Sequence, residues 1–151
     1  MKKSERIESE VGGPYEGHLE DHPCYTGWFA HFNATRYYEA HDVLEHLWLQ
    51  TAGPNHAFFK GLIQLAGAFV HLKKQYEHPS HPKHGKRLRP ASRLFQLAQT
   101  NLTPSAPRHL RLDVDAILAK CQKWTAALET GSFEKNPWSP NTAPAVHLEL
   151  E

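Results

Sequence analysis

The sequence predicts an all-α fold: a compact single-domain bundle of about four main helices with extended N- and C-terminal arms. Apolar residues recur at helical spacing in several segments between residues 32 and 130. Gly-Pro pairs and proline-rich stretches separate these segments, and no run alternates regularly enough to be a strand. We therefore divide the chain into a flexible N-terminal arm (1–23), a helical bundle (24–131) and an extended C-terminal tail (132–151).

The composition is that of one soluble globular domain. The chain has 151 residues, of which 40% are hydrophobic and 22% charged, and its net charge is +1 with neutral histidines. A dedicated nucleic-acid binder would carry a strong basic excess, so nucleic acid is not an expected partner. No segment has the roughly 18 apolar residues of a membrane helix, and the charged start does not resemble a signal peptide. We expect a cytoplasmic protein in which Cys24 and Cys121 are free thiols.

The first predicted helix extends from about Phe32 to Thr51 and carries the most informative pattern in the chain. One continuous arc of its helical wheel is apolar. This arc comprises Tyr37, Ala40, Val43, Leu44, Leu47 and Trp48. His41 and Glu45 lie one turn apart at the border of the arc, whereas Glu39 lies on the opposite side. A histidine and a carboxylate at such a border are partly withdrawn from water, which makes their protonation tunable.

The segment before this helix, residues 22–29, is predicted to be irregular and aromatic-rich. Asn33 or Thr35 is expected to cap the helix, and Gly53-Pro54 is expected to end it.

The second predicted helix, residues 57–76, is apolar over most of its circumference, which predicts that it is the central helix of the bundle. Only a narrow stripe is polar or small, formed by Lys60, Gln64, Gly67 and His71. Glycine at position 67 would let another backbone or a ligand come close.

The remaining segments are a basic loop rich in histidine and proline (77–87), a third helix (90–102), a linker (103–107) and a fourth helix (113–130). Asp113 or Asp115 is expected to cap the fourth helix, and Gly131 to end it. The loop carries the cations that a phosphate group or a nucleic-acid backbone would need, although a solvated loop is the better explanation of them. The sequence leaves open whether Leu150-Glu151 is a cloning remnant.

The best candidate site lies between the first two predicted helices. If these helices are antiparallel, His41 and Glu45 are level with residues 62–66, so Gln64 faces them across the interface. His71 then lies two turns further along. We predict a polar cleft lined by these four side chains.

Three uses of the cleft remain open. His41, Glu45 and His71 could be ligands of a divalent metal such as zinc, iron or manganese, although the spacing matches neither HExxH nor HxxEH. His41 and Glu45 could instead be catalytic, as an acid–base pair for proton transfer or water activation, because no serine or cysteine nucleophile stands near them. Alternatively, His41, Glu45 and Gln64 could form a structural hydrogen-bond network that fixes how the helices dock.

These motifs resemble a known family. A helix of the form EAHEvlExxW followed by a helix with a GLIQLA-like stretch is similar to the family catalogued as domain of unknown function 309. The resemblance extends over roughly residues 32–128 and implies a small all-helical domain without an established activity, cofactor or substrate. The residues at matching motif positions are Glu39, His41, Glu45, Trp48, Gln64 and His71. Asp42 stands where the family usually has Glu, and the loop 78–84 is longer and more basic than the family's connection.

We therefore expect a protein of unknown activity that binds a small polar ligand or a metal through this cleft, with the cofactor undefined. The residues expected to bind the ligand besides His41 and Glu45 are Gln64, Trp48, Tyr38, Lys60 and Glu39. The alternative is a non-catalytic interaction domain, or a homo-oligomer, that docks its partner through an aromatic surface. That surface would include Trp28, Phe29 and Trp138.

Overall fold

The computed structural model describes Lys3, Ile7 and residues 15–150. Within residues 15–150 there are five α-helices: α1 (Pro23–Asn33), α2 (Tyr37–Trp48), α3 (Pro54–Glu77), α4 (Leu88–Leu102) and α5 (Val114–Thr130). Single 3-10 turns are formed by Leu19–Asp21 and Thr103–Ser105. The predicted all-α fold is confirmed, with one helix more than the sequence pattern indicated.

The additional helix is α1, where the sequence predicted an irregular segment. It begins at Pro23, and proline is well suited to a first helical position because its missing N–H has no partner to lose. His22 caps the helix, since its Nδ1 accepts a hydrogen bond from the backbone N–H of Cys24 at 3.0 Å. The N-cap expected at Asn33 or Thr35 is wrong: Arg36 occupies that position, because Thr35 adopts a positive φ of 58° and reverses the chain before Tyr37.

The central position predicted for the second apolar helix is confirmed in α3, which packs against α2 and against α4. Its Phe69 lies at the centre of an aromatic cluster. The rings within 5.1–5.3 Å of Phe69, measured between centroids, are those of Phe32, Tyr37, Phe95 and Trp124. Gly53, just before α3, has a φ of 75°, a backbone conformation that residues other than glycine rarely adopt.

The closest approach of a backbone to α3 occurs at Gly61 rather than at Gly67. A Cβ atom at position 61 would lie 2.6 Å from Leu102 Cγ and 3.2 Å from the carbonyl oxygen of Ala98. At position 67 the near neighbour is only the Leu94 side chain, whose Cδ1 would be 3.2 Å away. Helix α4 therefore crosses α3 most tightly at its C-terminal end.

Helix α5 follows the prediction closely, whereas the connection before it does not. The Asp113 carboxylate accepts a hydrogen bond from the Ala116 N–H at 2.9 Å and so caps the helix, as expected. The linker continues into a small antiparallel hairpin, β1 (Arg108–His109) and β2 (Leu112–Asp113), which the sequence did not indicate. Leu110 and Arg111 form its turn with φ angles of 45° and 63°.

The C-terminal tail lies along the bundle without regular secondary structure and is held by buried contacts. Trp138 is 3% exposed, and its Nε1 donates to the Tyr37 hydroxyl at 3.0 Å. The Asn33 amide forms two hydrogen bonds with the backbone of Val146, at 2.7 and 2.8 Å. The predicted aromatic docking surface is therefore wrong, because Trp28, Phe29 and Trp138 are all buried.

Much of the predicted N-terminal arm (1–23), like Glu151 of the predicted tail, lies outside the described residues. Lys3 and Ile7 are helical, and Ile7 is only 1% exposed. The two boundaries drawn around the bundle remain predictions. In the described part of the chain, no helix combines the length and the apolar character needed to cross a membrane.

Candidate functional site

Helix α2 presents three neighbouring polar side chains, His41, Asp42 and Glu45, which we call the acid–imidazole cluster. His41 Nδ1 lies 3.1 Å from Asp42 Oδ1, and His41 Nε2 lies 3.8 Å from Glu45 Oε2. The Lys3 ammonium hydrogen-bonds to Glu45 Oε1 and lies 3.2 Å from Asp42 Oδ1. The two carboxylates therefore converge on one cation, with the imidazole beside them.

The cluster is partly withdrawn from water. The Asp42 side chain is 7% exposed, that of Glu45 27% and that of His41 32%. Burial alone would lower the pKa of Lys3, but its hydrogen bonds to Glu45 and Asp42 outweigh this effect and raise that pKa. The ammonium is therefore charged at neutral pH and compensates for the cost of burying the Asp42 carboxylate.

Aromatic side chains stand at both ends of the cluster on α2, and each faces a lysine of α3. Lys74 Nζ lies 5.5 Å from the centre of the Tyr38 ring, and Lys60 Nζ lies 6.0 Å from that of Trp48. Gly67 is midway between the two lysines in the α3 sequence, and it is partly exposed. The face shared by α2 and α3 thus has a cation–aromatic contact at each end, whereas the near neighbour of Gly67 is Leu94 of α4.

The indole N–H of Trp48 lacks a hydrogen-bond partner among the described residues, although the ring itself is packed. Its ring stacks on His56 with centroids 4.7 Å apart. Its Nε1–H is buried and, within the described part of the chain, has no hydrogen-bond partner. Buried indole N–H groups usually have a partner, so this one marks an incompletely paired polar position at the end of the cluster.

Glu39 lies apart from the acid–imidazole cluster, at a cavity of about 180 Å³ between the start of α2 and the end of α3. This cavity is lined by Tyr37, Tyr38, Glu39, Val70, Lys73, Lys74 and Glu77. Of the residues expected to bind a ligand, Tyr38 and Glu39 therefore line one cavity, whereas Trp48 and Lys60 pair at the opposite end of α2.

Gln64 does not face His41 and Glu45 as predicted. Its Oε1 accepts a hydrogen bond from Asn101 Nδ2 at 2.7 Å, which joins α3 to α4. The prediction assumed that α3 presents its polar stripe to α2. Because α4 packs on that side of α3, the amide finds its partner there.

His71 is also directed towards α4 and the loop before it. Its Nδ1 lies 2.9 Å from Arg87 Nη1. Burial and then the nearby cations, Arg87 first, lower the pKa of His71 to about 4. Among Lys3, Ile7 and residues 15–150, no group of three His, Cys, Asp or Glu side chains is arranged to hold a metal ion. The predicted ligand set of His41, Glu45 and His71 therefore does not converge.

The structure thus keeps His41 and Glu45 together, adds Asp42 and Lys3 to them, and separates Gln64 and His71. Asp42 had a signal in the sequence, since the family resemblance places a carboxylate at that position. Lys3 had none, because its partners lie more than 35 residues away and nothing local indicates them.

Comparison with known proteins gives one positive result. Residues 26–81 match the family model described as Domain of unknown function (DUF309). The resemblance drawn from the two helix motifs is thereby confirmed over a segment that contains α2 and α3 in full. The motifs had suggested a match up to about residue 128, but the family model ends at residue 81. No curated protein and no solved structure matches the chain significantly.

Proposed function

We propose that the DUF309 segment forms a ligand-binding domain whose site is the acid–imidazole cluster, and that its ligand carries a primary ammonium group. The observation that carries this proposal is the convergence of Asp42 and Glu45 on the Lys3 ammonium. An ammonium is a compact cation with rotatable N–H donors, so it can bind two carboxylates that point in different directions.

The burial of Asp42 favours a dedicated cation site over a solvated surface pair. A carboxylate with 7% of its side chain exposed is costly unless a cation or several donors accompany it. The His41 side chain is 32% exposed, and its Nδ1 lies 3.1 Å from Asp42 Oδ1, so the imidazole borders the carboxylate that the ammonium contacts.

Lys3 occupies the site as an intramolecular ligand in this proposal. A tethered group of this kind acts at an effective concentration of about the millimolar range, so an external amine must compete with it. The Lys3 side chain is 44% exposed, so an external amine can approach the position of its ammonium. Replacing Lys3 removes the group that competes with such an amine for Asp42 and Glu45.

The second candidate is a structural role, in which the cluster only docks the N-terminal segment. The near-complete burial of Ile7, four residues after Lys3, favours it, because Ile7 is then held by apolar contacts as well. Under this alternative the cluster is a hydrogen-bond network and binds nothing in solution.

Calorimetric titration of n-butylammonium chloride, which mimics a lysine side chain, distinguishes the two. We expect saturable binding to Lys3→Met that is about tenfold or more tighter than to the wild type. Adding Glu45→Gln to the same variant should weaken binding about tenfold, roughly 1.4 kcal/mol. Tetramethylammonium chloride, which has the same charge but no N–H, should bind far less well.

Lack of saturable binding to Lys3→Met, in a protein that still folds, would contradict the proposal and favour the structural role. Equal binding of butylammonium and tetramethylammonium would also contradict it, since hydrogen bonding to the carboxylates would then be irrelevant.

A further inference from the structure

A second cluster, formed by His71, His84 and Arg87, lies where α3, α4 and the loop between them meet; we call it the cationic cluster. Arg87 Nη1 donates to His71 Nδ1 at 2.9 Å, and Arg87 Nε and Nη2 donate to His84 Nδ1 at 3.1 and 2.6 Å. A guanidinium can only donate, so both imidazoles accept through Nδ1 and carry their proton on Nε2. One cation is thus held by two neutral rings.

The loop that carries His84 is fixed by its own hydrogen bonds. His81 Nδ1 accepts from the backbone N–H groups of Lys83 and His84, both at 3.0 Å. The Arg87 N–H donates to Gln75 Oε1 at 2.7 Å, which ties the end of the loop to α3. Arg87 therefore has a defined position before any ligand arrives, which lowers the entropic cost of binding.

The charges around the cationic cluster have one sign. The groups that lower the pKa of His71, after burial, are Arg87, Lys74 and Arg93. Those that lower the pKa of His84, after partial desolvation, are Arg87, His81, Lys74 and His78. In the part of the chain that the structure describes, Arg87 forms no ion pair with a carboxylate. Helix α4 begins at Leu88, so its N-terminal dipole adds to the positive potential.

We propose that the cationic cluster binds an oxyanion, namely the phosphate group of a small phosphorylated molecule. Nη1 and Nη2 each retain one N–H beyond those used by His71 and His84, so the guanidinium can still donate charge-assisted hydrogen bonds to phosphate oxygens. The anion supplies the negative charge that this cluster lacks. The two imidazoles hold Arg87 as neutral acceptors, so the guanidinium supplies the positive charge that meets the anion.

Inorganic phosphate is the probe for this site. Isothermal titration at neutral pH in a phosphate-free buffer measures the affinity. We expect saturable binding at one site. Arg87→Gln should weaken it about tenfold or more, as expected for loss of a charge-assisted hydrogen bond. Arg87→Lys keeps the charge without the fork and should give an intermediate affinity.

The matched control is Arg108→Gln, which removes a half-exposed arginine that is 2.6 Å from the Glu149 carboxylate. It should leave phosphate affinity unchanged. His71→Asn keeps an acceptor for Arg87, so phosphate binding should persist in this variant.

Equal phosphate affinity in Arg87→Gln, Arg108→Gln and the wild type would overturn the proposal. So would binding of a short single-stranded oligonucleotide without binding of phosphate, since the basic loop would then be a surface for extended polyanions. If Arg87→Gln fails to fold, as judged by circular dichroism, the comparison of Arg87→Lys with Arg108→Gln decides.

Discussion

Two histidines on the neighbouring helices α2 and α3 have opposite surroundings. His41 lies beside the carboxylates of Asp42 and Glu45, with Lys3 as their common counter-ion. His71 lies beside Arg87, with Lys74 and Arg93 as further cations. The sequence pattern had assigned both imidazoles to one cleft. Their neighbours instead give His41 an anionic environment and His71 a cationic one.

The difference shows why two histidines on the polar sides of neighbouring helices, His41 and His71, need not belong to one site. A divalent metal is stabilised by anionic ligands, which His41 has and His71 lacks. Arg87 additionally uses the Nδ1 lone pair of His71, the same lone pair that a metal would need. The charges of the groups next to each imidazole therefore determine whether a cation or an anion is stabilised beside it.

The largest expected effect comes from removing the Asp42 carboxylate, the more buried of the two carboxylates in the acid–imidazole cluster. Asp42→Ala leaves Lys3 and His41 without their most buried partner, so the free energy of unfolding should fall by about 1–3 kcal/mol. Urea denaturation at pH 7 measures this change.

Glu39→Ala is the matched control, because it removes a carboxylate from the same helix outside the acid–imidazole cluster. It should change the free energy of unfolding by less than about 0.5 kcal/mol. Similar losses in both variants would mean that Asp42 contributes as an ordinary helix residue and that the contrast with His71 is not electrostatic.

The second prediction concerns His71 in the cationic cluster and the pH dependence of the free energy of unfolding. Because the pKa of His71 is lowered to about 4 in the folded state, the unfolded chain binds protons more readily. The stabilisation by neutral His71 is complete above about pH 6.5 and is lost as the pH falls towards 4. We expect His71→Asn to remove on the order of 1–2 kcal/mol of this pH dependence, after allowance for the partly exposed ring.

The measurement is the free energy of unfolding of the wild type and His71→Asn at pH 7 and pH 5. Burial also lowers the pKa values of His22 and His109, so the wild type should keep part of its pH dependence in any variant. An identical fall in both proteins would contradict a neutral, cation-flanked His71.

The fold could be predicted because its main signals are local. The helical periodicity of α2, α3 and α5, and the caps at Asp113 and Gly131, depend on residues within a few positions of one another. Helix α1 was missed because His22 is an uncommon N-cap and because Thr35 reverses the chain without a glycine. Neither feature has a strong sequence signature.

The site could be predicted only in part, because its partners are distant in sequence. His41 and Glu45 are one turn apart, so the helical wheel found them. Gln64 and His71 were correctly recognised as a polar stripe but were assigned to the wrong neighbour. Periodicity tells which face of a helix is polar, not which helix packs there. The partner of Gln64, Asn101, lies 37 residues away on α4.

The smallest expected effect distinguishes the two carboxylates within the acid–imidazole cluster. The pair of Glu45 and Lys3 is more exposed than that of Asp42 and Lys3, with 27% of the Glu45 side chain accessible. Glu45→Gln should therefore lower the free energy of unfolding by only about 0.5 kcal/mol at low salt, and by less at 1 M salt, where the Debye length is about 3 Å. Thermal melts in about 0.05 M and about 1 M sodium chloride measure the difference, because surface charges are weakly screened at the lower concentration and strongly screened at the higher one. A loss that is equally large at both salt concentrations would mean that Glu45 is buried with Lys3 as firmly as Asp42 is, and that an external amine could displace Lys3 only by opening the N-terminal segment.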